Sequence, residues 1–301
     1  MPAAFNEVIP SASTELEPKD ISPSLWFDSY IPDDEVRKNL YKPKVEHLRL
    51  FPTQLNTFLD VEYAGPIAFL QSYIIGVPGE SNFFMDYGNF VHEIMDRINK
   101  EKISNDEAYK QFMQLVDEAD MTDDEKRDLR DRGDAEIMKF LEARGDQLRN
   151  TKADSERSFF SENIMLDDIP LGGKIDRIEI DEGSKTITVA DFKTAKPKYK
   201  WDDKNNSILK YKLQLYFYKF LIEDSKDYKN YKVTKGRIDF IAPGEKGDIS
   251  PLELDFNDEE SARIKQLIKI VYKHIKALDF PDVSEFDKII DFANNLLDIN
   301  S

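Results

Sequence analysis

Two aspartates and a lysine carry the most chemical information in this chain. Asp176 lies in the run Gly172-Gly173-Lys174-Ile175-Asp176-Arg177-Ile178, and Asp191 and Lys193 lie in Val189-Ala190-Asp191-Phe192-Lys193-Thr194. Asp181-Glu182-Gly183-Ser184 between them reads as a turn, so the two runs form a hairpin. Folding about Gly183 puts Asp176 nearly opposite Asp191, close enough for both carboxylates to share one divalent cation. Asp191 and Lys193 are two apart on a strand, so their side chains leave by the same face. Oxygen ligands of this kind select Mg²⁺, with Mn²⁺ able to substitute. Such a cation polarises a phosphoryl oxygen and acidifies water, while the ammonium orients that water or neutralises developing charge. An isolated Asp-x-Lys triplet is commonplace on exposed strands. Here it ends a strongly apolar strand at hairpin distance from a Gly-x-x-Asp strand, which gives it weight.

These residues need a sheet to hold them. Residues 1–50, interrupted by Pro2, Pro10, Pro18, Pro23, Pro32 and Pro43, read as an extended lead-in or linker, with Trp26, Phe27 and Tyr30 available to dock on a neighbouring surface. Thr53 is the expected N-cap of a helix running to about Tyr73, ended by Gly76-Val77-Pro78-Gly79. Phe90, Val91, Ile94, Met95 and Ile98 recur at the spacing of a buried helical stripe over 84–100. Ser104 with Glu107, and Thr122 with Glu125, have the spacing of capping boxes, and the second opens a densely charged helix over 123–149. The period then drops to two. Phe159 and Phe160, Leu171 to Ile180 and Thr186 to Phe192 read as strands, followed by a helix over 207–224. Strands near 235–242 and 251–256 and a helix from Asn257 to about Leu278 complete the pattern. Helices first, then β-β-β-α-β-β, then helices, indicates an α/β (α+β) fold with a mixed central β-sheet flanked by helices.

Several separated motifs together resemble one family. Gly173-Lys-Ile-Asp-Arg177, Asp191-Phe-Lys-Thr194, Gln214-Leu-Tyr-Phe-Tyr218 and the upstream Gly88-Asn-Phe-Val-His92 arrive in the order seen in the RecB-like branch of the PD-(D/E)XK nuclease superfamily. The resemblance runs from about Phe51 to Leu278 and implies a restriction-endonuclease-like core. It further implies that His92, Asp176 and Asp191 bind the metal together with the Phe192 backbone carbonyl, and that Lys193 is the catalytic lysine. By the same resemblance Gln214 and Tyr218 shape the site or contact the strand, and Glu156 stands where relatives often carry an acidic residue. The three metal residues are expected to converge on one cation. The implied layout is a linker at 1–50 and a nuclease domain at 51–301, divided into a helical part (51–150), a catalytic core (155–278) and a helical tail (279–301).

Charge narrows the partners. Forty-two basic residues against 59 acidic ones leave a net charge of −17, a field that repels nucleic acid at long range. One stretch runs the other way: Lys196, Lys198 and Lys200 alternate with Tyr199 and Trp201 directly after Lys193, pairing cations for phosphates with faces on which bases can stack. The absence of cysteine excludes disulfides, thiolate zinc sites and cysteine-held iron–sulfur clusters, and with them the subgroup of relatives that carries such a cluster. There is no phosphate-binding loop of the P-loop kind, no apolar run approaching the ~20 residues of a membrane span, and no secretory leader pattern. The expectation is therefore a Mg²⁺-dependent, cytoplasmic DNA nuclease module, nucleoid-associated in a bacterium. It would serve repair or recombination on single-stranded or unwound ends, coupled to a helicase in the same or a partner chain. A non-catalytic DNA-binding or scaffolding module on the same fold is the alternative, and RNA is not distinguished from DNA by these residues.

Overall fold

The structure is a computed structural model and describes residues 34–78 and 83–299. Trp26, Phe27, Tyr30 and the first part of the expected lead-in lie outside the described residues. Helix α1 (Asp34–Glu46) forms inside the stretch whose prolines predict extended chain, with Pro43 within it. Tertiary contacts override the local preference. Tyr41 and Val45 are buried in the main core, Lys44 Nζ donates to Ile74 O (2.6 Å), and Lys276 Nζ donates to Val45 O (3.0 Å). The expected helix from Thr53 to Tyr73 is instead a succession of short pieces: α2 (Pro52–Leu59), a 3₁₀ turn (Val61–Tyr63), α3 (Gly65–Phe69) and a π-helical turn (Leu70–Ile75). Its N-cap is Phe51 rather than Thr53. Pro52 fills the first helical position, where no amide donor is needed, and the Phe51 amide donates to Gln54 Oε1 (3.0 Å). The break falls at Ala64 and Gly65, both at positive φ, where a Cβ on Gly65 would lie 2.8 Å from Phe58 O.

Helix α4 (Phe83–Glu101) matches its expected span and buries Val91, Ile94, Met95 and Ile98. In α5 (Asn105–Glu118) Ser104 caps the Glu107 amide, but the Glu107 carboxylate accepts from Gln111 instead of reaching back, so that box is half formed. Both halves are present at α6 (Asp123–Arg132), where Thr122 and Glu125 exchange bonds. A π turn over Gly133–Ile137 joins α6 to α7 (Met138–Asn150).

The strands are β1 (Ala153–Ser158), β2 (Ile164–Leu166), β3 (Ile169–Leu171), β4 (Lys174–Asp181) and β5 (Thr186–Lys193). Phe159 and Phe160 follow β1 rather than forming a strand, and the small β2–β3 hairpin replaces the expected start of a strand at Leu171. After β5 come α8 (Asn206–Asp224), β6 (Lys232–Phe240), β7 (Leu252–Asp255), α9 (Asp258–Ala277) and α10 (Ile289–Ile299). The main sheet has the order β1-β4-β5-β6-β7. Only β5 and β6 pair in parallel, and α8 makes the crossover that a parallel pair requires. The fold is the expected mixed sheet flanked by helices.

Alternation divides the sheet into two chemically different faces. Asp176, Ile178, Val189 and Asp191 share the face covered by α8, where the larger apolar core lies. Arg177, Glu179, Arg237 and Asp239 share the other face with Phe192. There α4 to α7 bring their own apolar cluster, which takes in Phe192 and Ile241. No helix among the described residues is long and apolar enough to cross a membrane.

Candidate active site

The hairpin register sets Arg177 opposite Ala190, so Asp176 is next in line with Asp191 at the end of the sheet where β4 begins and β5 finishes. Asp176 Oδ2 accepts the Phe192 amide at 2.9 Å, which locks the carboxylate in that position. From the opposite layer α4 brings His92, whose Nδ1 lies 3.4 Å from Asp176 Oδ2 and 3.5 Å from Glu156 Oε1. The His92 ring meets Phe192 edge-on at 6.2 Å. One ligand atom from each of His92, Glu156 and Asp176 lies within 4.8 Å of the others, at a cavity of about 530 Å³ that Asn89, Asp96 and Lys174 also line.

The structure thus brings Glu156, expected as a supporting residue, into one cluster with His92 and Asp176. Its backbone is at φ 49°, a left-handed conformation rare for a non-glycine residue inside a strand, and its carboxylate meets both His92 and Lys174. Such a conformation costs on the order of 1–3 kcal/mol and persists only where the surrounding structure holds it. Glu156→Ala and Glu156→Gly delete the same carboxylate but differ in tolerance of that φ. The glycine variant is expected to be the more stable of the two by about 1 kcal/mol in urea unfolding, and equal stabilities would show that the strain is not real.

Asp191 sits beside this cluster but is held by a different set of partners. Its Oδ1 accepts from Gln214 Nε2 (2.8 Å) and Tyr218 OH (3.0 Å), and its Oδ2 lies 2.7 Å from Lys193 Nζ. Lys193 in turn donates to Gln214 Oε1 at 3.1 Å. Gln214 and Tyr218, one helical turn apart on α8, thus clamp the aspartate and the lysine together. The expected three-way convergence of His92, Asp176 and Asp191 is divided in two: Glu156 takes the third place beside His92 and Asp176, and Asp191 pairs with Lys193.

Electrostatics tie the two groups together. Burial and the neighbouring Asp191 charge push the Asp176 carboxyl well above the usual carboxylate range, against the pull of His92 and Lys193. For His92, burial works against the imidazolium, but Glu156, Asp176 and Asp191 more than offset it and raise its pKa. Burial likewise opposes the Lys193 ammonium, and Asp191 and Asp176 outweigh it, so the group stays charged. Glu156 is held below its ordinary value because His92 and Lys174 overcome its burial. A buried carboxylate whose proton affinity is raised by a neighbouring carboxylate forms a site that a cation would relieve. The donor set fits a hard divalent ion: an imidazole nitrogen and two carboxylates in mutual reach, with Asp191 Oδ2 buried alongside, 2.7 Å from the Lys193 ammonium.

Asn99, absent from the sequence reading, pins this geometry. It lies two turns beyond His92, accepts from Arg177 Nη1 (2.9 Å), and donates to Ala153 O (3.0 Å) and Ser155 Oγ (3.0 Å). Arg177 adjoins Asp176 and Ser155 adjoins Glu156, so one buried amide fixes α4 against both strands that carry ligands. A polar residue seven positions from His92 on the same helical face was the only signal in the sequence.

In the basic stretch, Lys196, Lys198, Tyr199 and Lys200 are exposed in the loop after β5. Trp201 is not: it packs against the main core and its Nε1 donates to Glu253 O at 2.5 Å. Its indole holds the loop in place, which leaves Tyr199 as the aromatic in this loop with an open face.

The sequence profile of the PD-(D/E)XK nuclease superfamily matches residues 49–287. The chain belongs to this superfamily. As a PD-(D/E)XK protein it carries the aspartate pair and lysine at the sheet end where its carboxylates and ammonium meet. It is similar in fold to a candidate exonuclease from Eubacterium rectale at 12% identity, over 89% of each chain, with a TM-score of 0.48. It also resembles SSO0001 at 14% identity, over 82% of this chain and 88% of that one, with a TM-score of 0.32. Both likenesses are weak, and the family assignment rests on the profile match. No curated protein matches the chain.

Proposed function

We propose that this PD-(D/E)XK nuclease is a Mg²⁺-dependent deoxyribonuclease of the RecB-like branch, acting on single-stranded or unwound DNA ends during repair or recombination. The observation that carries the proposal is the His92–Glu156–Asp176 cluster beside the Asp191–Lys193 ion pair at one end of the sheet. His92, Glu156 and Asp176 would hold the cation, with Asp191 and the Phe192 carbonyl completing its shell. The cation when bound supplies Lewis acidity to a phosphoryl oxygen and lowers the pKa of water. Lys193, kept charged and aimed by Asp191 and Gln214, orients the attacking water and offsets negative charge as it develops on the phosphate. Tyr218 holds Asp191 rather than reaching substrate.

Lys196, Lys198, Tyr199 and Lys200 are proposed to contact the strand next to the catalytic lysine, for they are exposed and three of the four are cationic. A chain at net −17 gathers DNA poorly by itself, so delivery by a helicase, in a cytoplasmic setting, accords with its charge. Residues 51–301 are assigned to the nuclease, with its catalytic core at 155–278.

The test is cleavage of end-labelled single-stranded DNA and of the matching RNA with Mg²⁺, Mn²⁺ or chelator, for the wild-type chain and for Asp176→Asn. Cleavage of the DNA by wild type with either cation, abolished by chelator and by the substitution, is the expected result. DNA binding without cation-dependent cleavage would establish the non-catalytic alternative, and cleavage of RNA alone would overturn the substrate.

A further inference from the structure

A second, larger cavity, of about 890 Å³, is built on the same two elements as the acidic one. Helix α4 contributes His92 and Asp96 to the first and Asn99 and Lys100 to the second, while β1 contributes Glu156 to one and Ser155 and Arg157 to the other. Ser155 Oγ donates to Asp96 Oδ1 at their junction (2.5 Å). Across that junction the charge changes sign. The second cavity is lined by five cations, Lys100, Lys102, Arg149, Lys152 and Arg157, against the carboxylates of Asp154 and Asp227. A local excess of cations is notable in a chain at net −17.

We infer that this cleft seats the phosphate backbone of the single DNA strand whose scissile phosphate lies at the His92–Glu156–Asp176 cluster. The inference rests on the nuclease reading above and adds a strand path to it. At the helical rise, His92 to Lys102 spans about 15 Å, enough for a few nucleotides beyond the site. Four of the five cations also face acidic groups: Lys100 meets Asp96, Arg149 meets Asp146, Lys152 meets Glu182, and Arg157 meets Glu162 and Asp227. These pairs preorganise the cations and moderate their field. Lys102, directly after α4, has no carboxylate partner among the described residues and is exposed.

The cleft offers little for reading bases. Tyr228 is buried with its hydroxyl on Asp154, and the Tyr231 ring is covered by Lys185 at 5.2 Å. It thus provides phosphate contacts without a stacking platform, which means sequence-independent retention of one strand.

The experiment measures binding of labelled oligothymidylate to the full chain in chelator over a salt series, so that no cleavage enters. Lys102→Gln/Lys152→Gln removes two of the cations while keeping a polar, unbranched side chain. It is expected to weaken binding about tenfold and to reduce the slope of log K against log salt by about 1.4, the loss of two phosphate contacts. Lys110→Gln/Lys273→Gln makes the same change of net charge at exposed lysines outside the cleft and is expected to leave both quantities unaltered. Equal affinity and slope for the cleft variant and wild type would overturn the inference. So would an equal loss in the control pair, or tighter binding to duplex than to the single strand. Failure of the nuclease reading shows separately, as absence of cation-dependent cleavage by wild type.

Discussion

Lys193→Ala is expected to cleave single-stranded DNA about 10²–10³-fold more slowly than wild type while binding Mn²⁺ as well or slightly better. The magnitude is that of removing one preorganised donor aimed at developing charge. The cation affinity follows from sign, because a positive charge is taken away from beside a cation site. The fold should survive: Asp191 keeps its bonds from Gln214 and Tyr218 after the ammonium is gone. Asp191→Ala behaves differently. It removes a carboxylate from the cation's surroundings and also frees Lys193 from its anchor, so both Mn²⁺ affinity and cleavage fall. Calorimetric Mn²⁺ titration beside single-turnover cleavage separates the two. Parental cleavage by Lys193→Ala would make the ammonium a bystander and remove the centre of the proposed chemistry. Undiminished Mn²⁺ affinity in Asp191→Ala would show that this carboxylate serves only to hold the lysine.

The largest stability effect is expected at Arg237, on the sheet face opposite Asp176 and Asp191. This guanidinium is 4% exposed and donates to both oxygens of Asp239 (3.0 and 2.9 Å) and both oxygens of Glu179 (2.8 and 2.8 Å). Arg177 also reaches Glu179 (2.8 Å), and Arg144 reaches Asp239 (3.2 Å). Arg237→Met fills a similar volume but leaves two buried carboxylates short of compensation, so unfolding in urea at pH 7 should show a loss of about 3–5 kcal/mol. A loss under about 1 kcal/mol would mean that the network contributes no more than a surface pair.

Acid provides an independent check on the same network. Burial by itself would raise the Glu179 pKa, but Arg237 and Arg177 overcome it and hold the carboxyl at about 2, against an ordinary 4.5. A depressed carboxylate contributes its stability above the unfolded value and loses it as pH falls through the folded one. Wild type should therefore lose this contribution between pH 4.5 and about 2. The gap between wild type and Arg237→Met should narrow across the same window, and a gap independent of pH would place the effect in packing rather than in charge.

Local pattern was enough for the β4–β5 hairpin, for helices α4, α8 and α9, and for the Asp191–Lys193 half of the candidate site. Alternating apolar residues with an intervening turn suffice to define the β4–β5 hairpin. The two-residue period then fixes Asp191 and Lys193 on one face, with Asp176 opposite. Gln214 and Tyr218 are one turn apart on a helix whose span was legible from its apolar run. These features depend on hydrogen bonds and side-chain directions set within a few residues, where local pattern is decisive.

Other features depend on contacts between segments distant in the chain. Glu156 joins His92 because its φ is left-handed and because Asn99 sets α4 against β1, and neither has a local signature. Arg177, Glu179, Arg237 and Asp239 are charged residues on strands whose burial follows only from the helical layer that covers that face, and pairing among themselves makes it tolerable. Helix α1 forms despite Pro43 because Tyr41 and Val45 find a core to enter, and Trp201 packs partly buried against the same core. Local pattern defines many of the helices and strands, though not α1 or the β2–β3 hairpin. Burial, settled only when distant segments meet, defines which of their charged and aromatic side chains remain available for chemistry.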